Sequence, residues 1–203
     1  MKNKNLLFIT EVGIFTALGL VLDFIAGLYS EFIFPNGGSI SVAMVTIFII
    51  AFRWGLKGGL TVGFLIGLLQ LSYSGVMGKA IDWKVALGIS LFDYILAYTA
   101  CGLAGLYAKK AREADIPGKM NYVMSGILIA AGVRTLSHII SGWIFFKAWI
   151  PDFILEDYAW YYWSIIYNLG YMVPSTLLSI LITKGIVKRY HDRIFNVDGF
   201  MFG

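Results

Sequence analysis

Apolar residues run along this chain in long blocks, and polar positions fall mostly between the blocks rather than inside them. Six blocks read as candidate spanning helices, at about 6–28, 40–53, 58–75, 85–107, 121–146 and 164–187. A helix needs roughly 20 mostly apolar residues to cross a bilayer. The second block is short, so it calls for tilt, snorkelling flanks or burial within a bundle. Strand-type alternation is absent, and a helix satisfies its own backbone in lipid, so the pattern predicts an all-α membrane protein, a six-helix bundle. There is no low-complexity segment or Pro/Ser-rich linker, which leaves 1–203 as a single membrane domain.

Composition reinforces that reading. Hydrophobic residues make up 59% of the 203 positions and charged residues 14%, and the mean hydropathy is +0.76. A soluble domain seldom looks like this. The basic residues predict an orientation. With the N-terminus inside, Lys2, Lys4, Arg53, Lys57, the basic residues of 109–119 and those of 184–193 fall on the cytoplasmic side, leaving only Lys79, Lys84 and Lys147 outside. Both termini are therefore expected in the cytoplasm of a plasma-membrane protein. The net charge of +4 then reflects topology and does not point to nucleic acid. The single cysteine, Cys101, excludes an internal disulfide. Glu11 interrupts the N-terminal apolar run, so that run is read as a retained helix and not a cleaved signal.

Several chemistries lack their motifs. The sequence has no G-x-x-x-x-G-K-[ST], H-E-x-x-H or G-x-S-x-G and no Cys/His metal spacing, so neither ATP hydrolysis nor a metal or cofactor site is expected of this chain. Candidate chemistry sits instead within the spans, where ionisable residues are costly and point to function. Asp93, Arg134 and His138 lie deepest. His138, Gly142 and Phe146 recur every fourth residue and form one stripe on a helix, with Gly142 leaving room for a ligand or a neighbouring backbone. His138 either faces a ligand or bonds a neighbouring helix. Asp93 either pairs with Arg134 or meets a cationic ligand. Asn168 offers donors and an acceptor to a polar ring or to helix packing. Pro174 is expected to kink the last span. Trp149, Tyr158, Trp160, Tyr161, Tyr162 and Trp163 crowd the outer loop, as an interfacial belt or as a lid. Together these residues describe a pocket in the outer half for a small, flat, cationic molecule.

The motifs "TEVGIFTALGLVL", "PNGGSIS", "AFRWGLKGGL", "FDYILAYTACGLAGLY", "RTLSHIISGWIFF" and "YWSIIYNLGYMVPS", in this order, resemble the thiamine-specific substrate-binding (S) components of energy-coupling-factor vitamin transporters. The resemblance implies a non-enzymatic subunit that captures thiamine from outside and works with a transmembrane coupling subunit and two ATPases. It maps the binding carboxylate onto Asp93, followed by Tyr94, and the histidine, glycine and stacking aromatic onto His138, Gly142 and Phe146. A basic position one turn earlier maps onto Arg134, and the last span contributes Trp163 and Asn168. Phe34 or Tyr29 stands in for a first-loop aromatic, because Gly37 and Gly38 occupy its place. Gly13 and Ala17 form a small-xxx-small stripe with Gly19 close by, expected to receive the coupling subunit unless it packs internally. An S component for another vitamin, or an intramembrane enzyme using His138 and Asp93 as acid and base, are the competing readings.

Overall fold

A computed structural model describes residues 4–35, 37–147, 150 and 159–196. Among these residues all regular structure is helical. Five helices are long and apolar enough to cross a membrane: α1 (Lys4–Ser30), α2 (Met44–Gln70), α3 (Trp83–Glu113), α4 (Ile116–Phe145) and α5 (Ala159–Phe195). α2 is the central element, with 72% of its most apolar window buried against 28% for α1 and for α5. Phe48, Phe52, Ile47, Ile50 and Ile66 of α2 form the heart of the core. α1 and α5 instead turn Leu6, Ile14, Ile166, Leu177 and Leu181 outward, as expected where the surrounding solvent is lipid.

The helical run of α2 is broken at Gly55, whose φ of 73° and ψ of −165° suit glycine alone. Its two arms lie side by side: a Cβ added at Gly58 would stand 3.2 Å from the Ile50 side chain, and one at Gly59 2.7 Å from Ala51. The second arm, 56–70, also packs backbone to backbone on α3. A Cβ at Gly59 would meet Gly102 at 2.8 Å, one at Gly63 the Thr99 Cα at 2.9 Å, and one at Gly67 the Tyr94 carbonyl carbon at 2.9 Å. A four-residue spacing of glycines thus keeps side chains out of the points of closest approach, the device by which helices approach closely in lipid.

Local signals set the other helix starts. The Asp82 carboxylate caps α3, accepting from the backbone N–H of Lys84 at 2.7 Å and of Val85 at 2.9 Å, and Asp115 caps α4 through Gly118 at 3.0 Å. Within α3 the winding changes twice, to a π-helical segment at Ser90–Leu96 and to a 3₁₀ segment at Gly102–Tyr107. α5 keeps helical dihedrals through Pro174, and its one non-helical residue is Tyr190, at φ −123°. The interruption of helical dihedrals in this span thus falls at Tyr190 and not at the proline. Beyond it, Phe195 is buried beneath Phe52, with the Lys119 ammonium 4.6 Å from its ring.

One end of the bundle is closed by a tight ion pair. Arg53 donates to both carboxylate oxygens of Glu11, at 2.5 and 2.7 Å, and also to the Arg193 carbonyl. The Trp54 indole donates to the same carboxylate at 2.6 Å. α1, the bend of α2 and the end of α5 are fastened together here.

Candidate functional site

The opposite half holds a cavity of about 420 Å³ between α1, the end of α2, α3, α4, α5 and the 31–39 loop. Pockets for small ligands fall in the range of roughly 300–1,000 Å³. Asp93, Tyr94, Arg134, His138, Gly142, Phe146, Trp163 and Asn168 all line it. Three helices are needed to gather them, α3 giving the first two, α4 and its end the next four, and α5 the last two.

The polar floor is a connected chain. Asp93 Oδ1 lies 2.9 Å from His138 Nδ1, and Oδ2 accepts from the Ser141 hydroxyl at 2.7 Å. Asp93 sits in the π-helical segment, a winding that often marks functional positions. Arg134 Nε donates to His138 Nε2 at 3.3 Å, and its guanidinium lies 4.0 Å over the Tyr98 ring. The Tyr98 hydroxyl donates to Asp23 Oδ1 at 2.5 Å, and the Gln70 amide donates to Asp23 Oδ2. Asp23, Tyr98 and Gln70 also line the cavity, and none of the three was expected from the sequence. The signal for Asp23 was available: it is a carboxylate inside an apolar run.

Aromatic rings complete the walls. Phe34, from the first loop, packs edge-on against Tyr167 at 5.7 Å and Tyr171 at 5.5 Å. Tyr167 donates to the Gly37 carbonyl at 2.9 Å, and Ser41 N–H donates to Ser175 at 3.0 Å, so the loop is fastened to α5. Phe34, not Tyr29, supplies the first-loop aromatic; Tyr29 donates to the Ile40 carbonyl.

Several expectations need correcting. Among the described residues Arg134 makes no ion pair with Asp93; the imidazole stands between them. The space at Gly142 is filled by Ser164, whose Cβ would be 3.1 Å from an added Cβ there. Asn168 spends its polar atoms within α5, donating to the Ser164 carbonyl at 2.8 Å and accepting from Tyr171 at 2.5 Å. Of the outer-loop aromatics, Trp149 and Tyr158 lie outside the described residues. Trp160 stacks on Tyr161, which in turn meets Trp143, away from the cavity that Trp163 lines. On α1, Gly13 and Ala17 face outward, and a Cβ at Gly13 would meet nothing within 4 Å. Gly19 does not belong with them: it is buried, and a Cβ there would come within 2.7 Å of Thr46 and strike Ile66. Among the described residues no cluster of His, Cys, Asp and Glu could hold a metal ion.

Comparison with known proteins agrees across sequence and structure. Residues 9–196 match the family described as thiamine transporter protein. The thiamine transporter ThiT of Bacillus subtilis (strain 168) is 36% identical over 185 residues, covering 89% of this chain and 90% of that protein. Its counterpart in Lacticaseibacillus paracasei is 26% identical over 198 residues, 96% and 92% of the two chains. The solved structure of ThiT from Listeria monocytogenes superposes with a TM-score of 0.74 at 25% identity, over 95% of this chain and 99% of that one.

Proposed function

The chain belongs to the thiamine transporter protein family, and from that premise we propose that it captures thiamine in this cavity as the S component of an energy-coupling-factor transporter. Thiamine joins a flat aminopyrimidine to a permanently cationic thiazolium. A site for it needs aromatic faces, one countercharge and donors or acceptors at the ring edge. The observation that carries the reading is the setting of Asp93. Its carboxylate lies in an aromatic-walled cavity and is held by Ser141 and His138 rather than by lysine or arginine, so its charge is available to a cationic ligand.

In this mechanism Asp93 supplies the countercharge and accepts from the amino group or the cationic ring. His138 steadies that carboxylate and presents its ring face, while Tyr94, Phe146 and Trp163 enclose the flat rings. Arg134 sets the local field. Gly142 and Asn168 shape the α4–α5 wall. Phe34 and the first loop exclude water from above.

The two arms of α2 count as separate spans in this reading, which gives six helices. The first arm, from Met44 to the break at Gly55, reaches only about 16 Å at 1.5 Å per residue, and its buried position in the bundle accommodates that shortness. Contact of Arg53 with both Glu11 and Arg193 supports a common side for both termini, and the distribution of basic residues makes that side cytoplasmic. The outward Gly13 and Ala17 offer the coupling subunit a smooth helix face, and two partner ATPases supply the energy.

Titration of ligand-free, detergent-purified protein with thiamine tests the reading directly. Saturable quenching of tryptophan fluorescence is expected, with affinity on the order of nanomolar, about −12 kcal/mol. A flat titration at micromolar thiamine overturns it.

A further inference from the structure

The function above uses Asp93 and His138 but leaves Asp23 and Tyr98 without a role and does not say how Arg134 is held. All three border the same cavity, and Asp23 and Arg134 are buried charges at 5% and 6% exposure. Among the described residues no carboxylate lies within ion-pair distance of Arg134. A buried guanidinium without a direct countercharge is costly, and it persists only where other groups balance it. Here the Tyr98 ring takes one face of the cation at 4.0 Å, and the Tyr98 hydroxyl donates to Asp23 at 2.5 Å. Asp23 thus balances Arg134 across an intervening ring.

The consequence lies at the imidazole. Arginine has only donors, so the 3.3 Å bond from Arg134 Nε requires His138 Nε2 to be an unprotonated acceptor. The ring proton of a neutral histidine then sits on Nδ1, where it is donated to Asp93 Oδ1 at 2.9 Å. We propose that Asp23 and Arg134 are positioning residues: Asp23 holds Arg134 away from Asp93, and Arg134 fixes His138 as the neutral Nδ1–H tautomer, which keeps the Asp93 charge free for a cationic ligand. Without this arrangement two things happen. Arg134 turns to the nearest remaining carboxylate, Asp93, or His138 takes a second proton. Either one cancels the countercharge. The groups facing His138 are Asp93 from α3, Arg134 and Ser141 from α4, Tyr171 from α5 at 5.8 Å between rings, and Asp23 from α1 through Tyr98.

The chain has only two histidines, so ¹⁵N-histidine labelling of the full-length protein in detergent, with His191→Gln to assign the spectrum, reads His138 alone. The parent is expected to carry its proton on Nδ1 throughout pH of about 6 to 8. In Arg134→Met and in Asp23→Asn, protonation at Nε2 should appear as the pH falls across that range. Where either variant fails to fold, Tyr98→Phe removes only the hydroxyl that joins Asp23 to the ring and reads the same nitrogen. Only the affinity arm rests on the thiamine reading: Arg134→Met should bind thiamine roughly tenfold more weakly at pH 6 than at pH 8, Asp23→Asn and Tyr98→Phe should bind it roughly tenfold more weakly than the parent at pH 6, and the parent shows no such slope. A parent His138 protonated on Nε2, or variants that keep the parent spectrum at every pH, overturns the proposal. A parent that holds the Nδ1–H tautomer yet does not bind thiamine refutes the assigned ligand and leaves the positioning roles standing.

Discussion

The two ends of the bundle handle buried charge in opposite ways. At the Arg53 end Glu11 and Arg53 meet directly through two hydrogen bonds, and Trp54 and the Arg193 carbonyl occupy what remains. In the half that holds the cavity Asp23, Arg134 and Asp93 are kept apart by a tyrosine and a histidine. A directly closed pair has no capacity left for a ligand, so it acts as a fastening. Charges separated by neutral groups keep their fields, and such a cluster is suited to receive an ion. The sequence separates the two sets by depth, with Arg53 at the edge of its run and Asp93 and Arg134 deep within theirs, but not by which charges meet directly.

The comparison is broken most severely at the Arg53 end. Arg53→Leu leaves Glu11 unpaired in a site where both side chains are 17% exposed, and a loss of about 3 kcal/mol in unfolding free energy is expected. Denaturant unfolding in detergent should show it; an unchanged midpoint would mean that the fastening contributes nothing. At the cavity end the effect should fall on affinity. Asp93→Ala removes charge-assisted bonds worth about 1.5–3 kcal/mol, so thiamine affinity drops about 10- to 150-fold with little change in melting temperature. Equal losses of stability at both ends would erase the distinction between fastening and receptor. A smaller effect sharpens it: His138→Ala should cost about 1 kcal/mol of affinity, less than Asp93→Ala in the same titration. The smallest effect on the isolated protein is expected on the outward face of α1. Gly13→Trp and Ala17→Trp should leave folding and thiamine binding unchanged, because an added Cβ at Gly13 meets nothing, yet abolish uptake in cells that supply the coupling subunit and ATPases. Persistent uptake would place the docking face elsewhere.

Much of the helical order was legible because lipid demands long apolar runs: the runs at 85–107 and 164–187 fall inside α3 and α5, and 121–146 overruns the end of α4 by one residue. Helix ends were not, because caps such as Asp82 and Asp115 extend helices past the apolar segment. The bend at Gly55 lies between the two predicted blocks, but the sequence does not say that their arms pack together. The rule that finds Asp93, Arg134 and His138 also applies to Asp23, yet its partners Gln70 and Tyr98 are 47 and 75 residues away. Only tertiary register brings them together. The same holds for Gly19, which looks like Gly13 in sequence but faces Ile66 and Thr46.

The π-helical segment Ser90–Leu96 gives the placement of Asp93 an arithmetic character. Below it, α3 is locked in rotation by the glycine contacts at Thr99 and Gly102, while the Gly67 contact at Tyr94 falls within the segment itself. The direction of the carboxylate therefore depends on how many residues are wound between that lock and position 93. Deleting one residue from 95–97 would swing Asp93 by about 100° relative to Thr99 and Gly102, breaking the Gly67 contact at Tyr94 and turning the carboxylate from the cavity with every residue of the site still present. For this span, a change in residue count matters more than many changes in residue type, and a gap in this stretch of a related sequence would mark a different binding site.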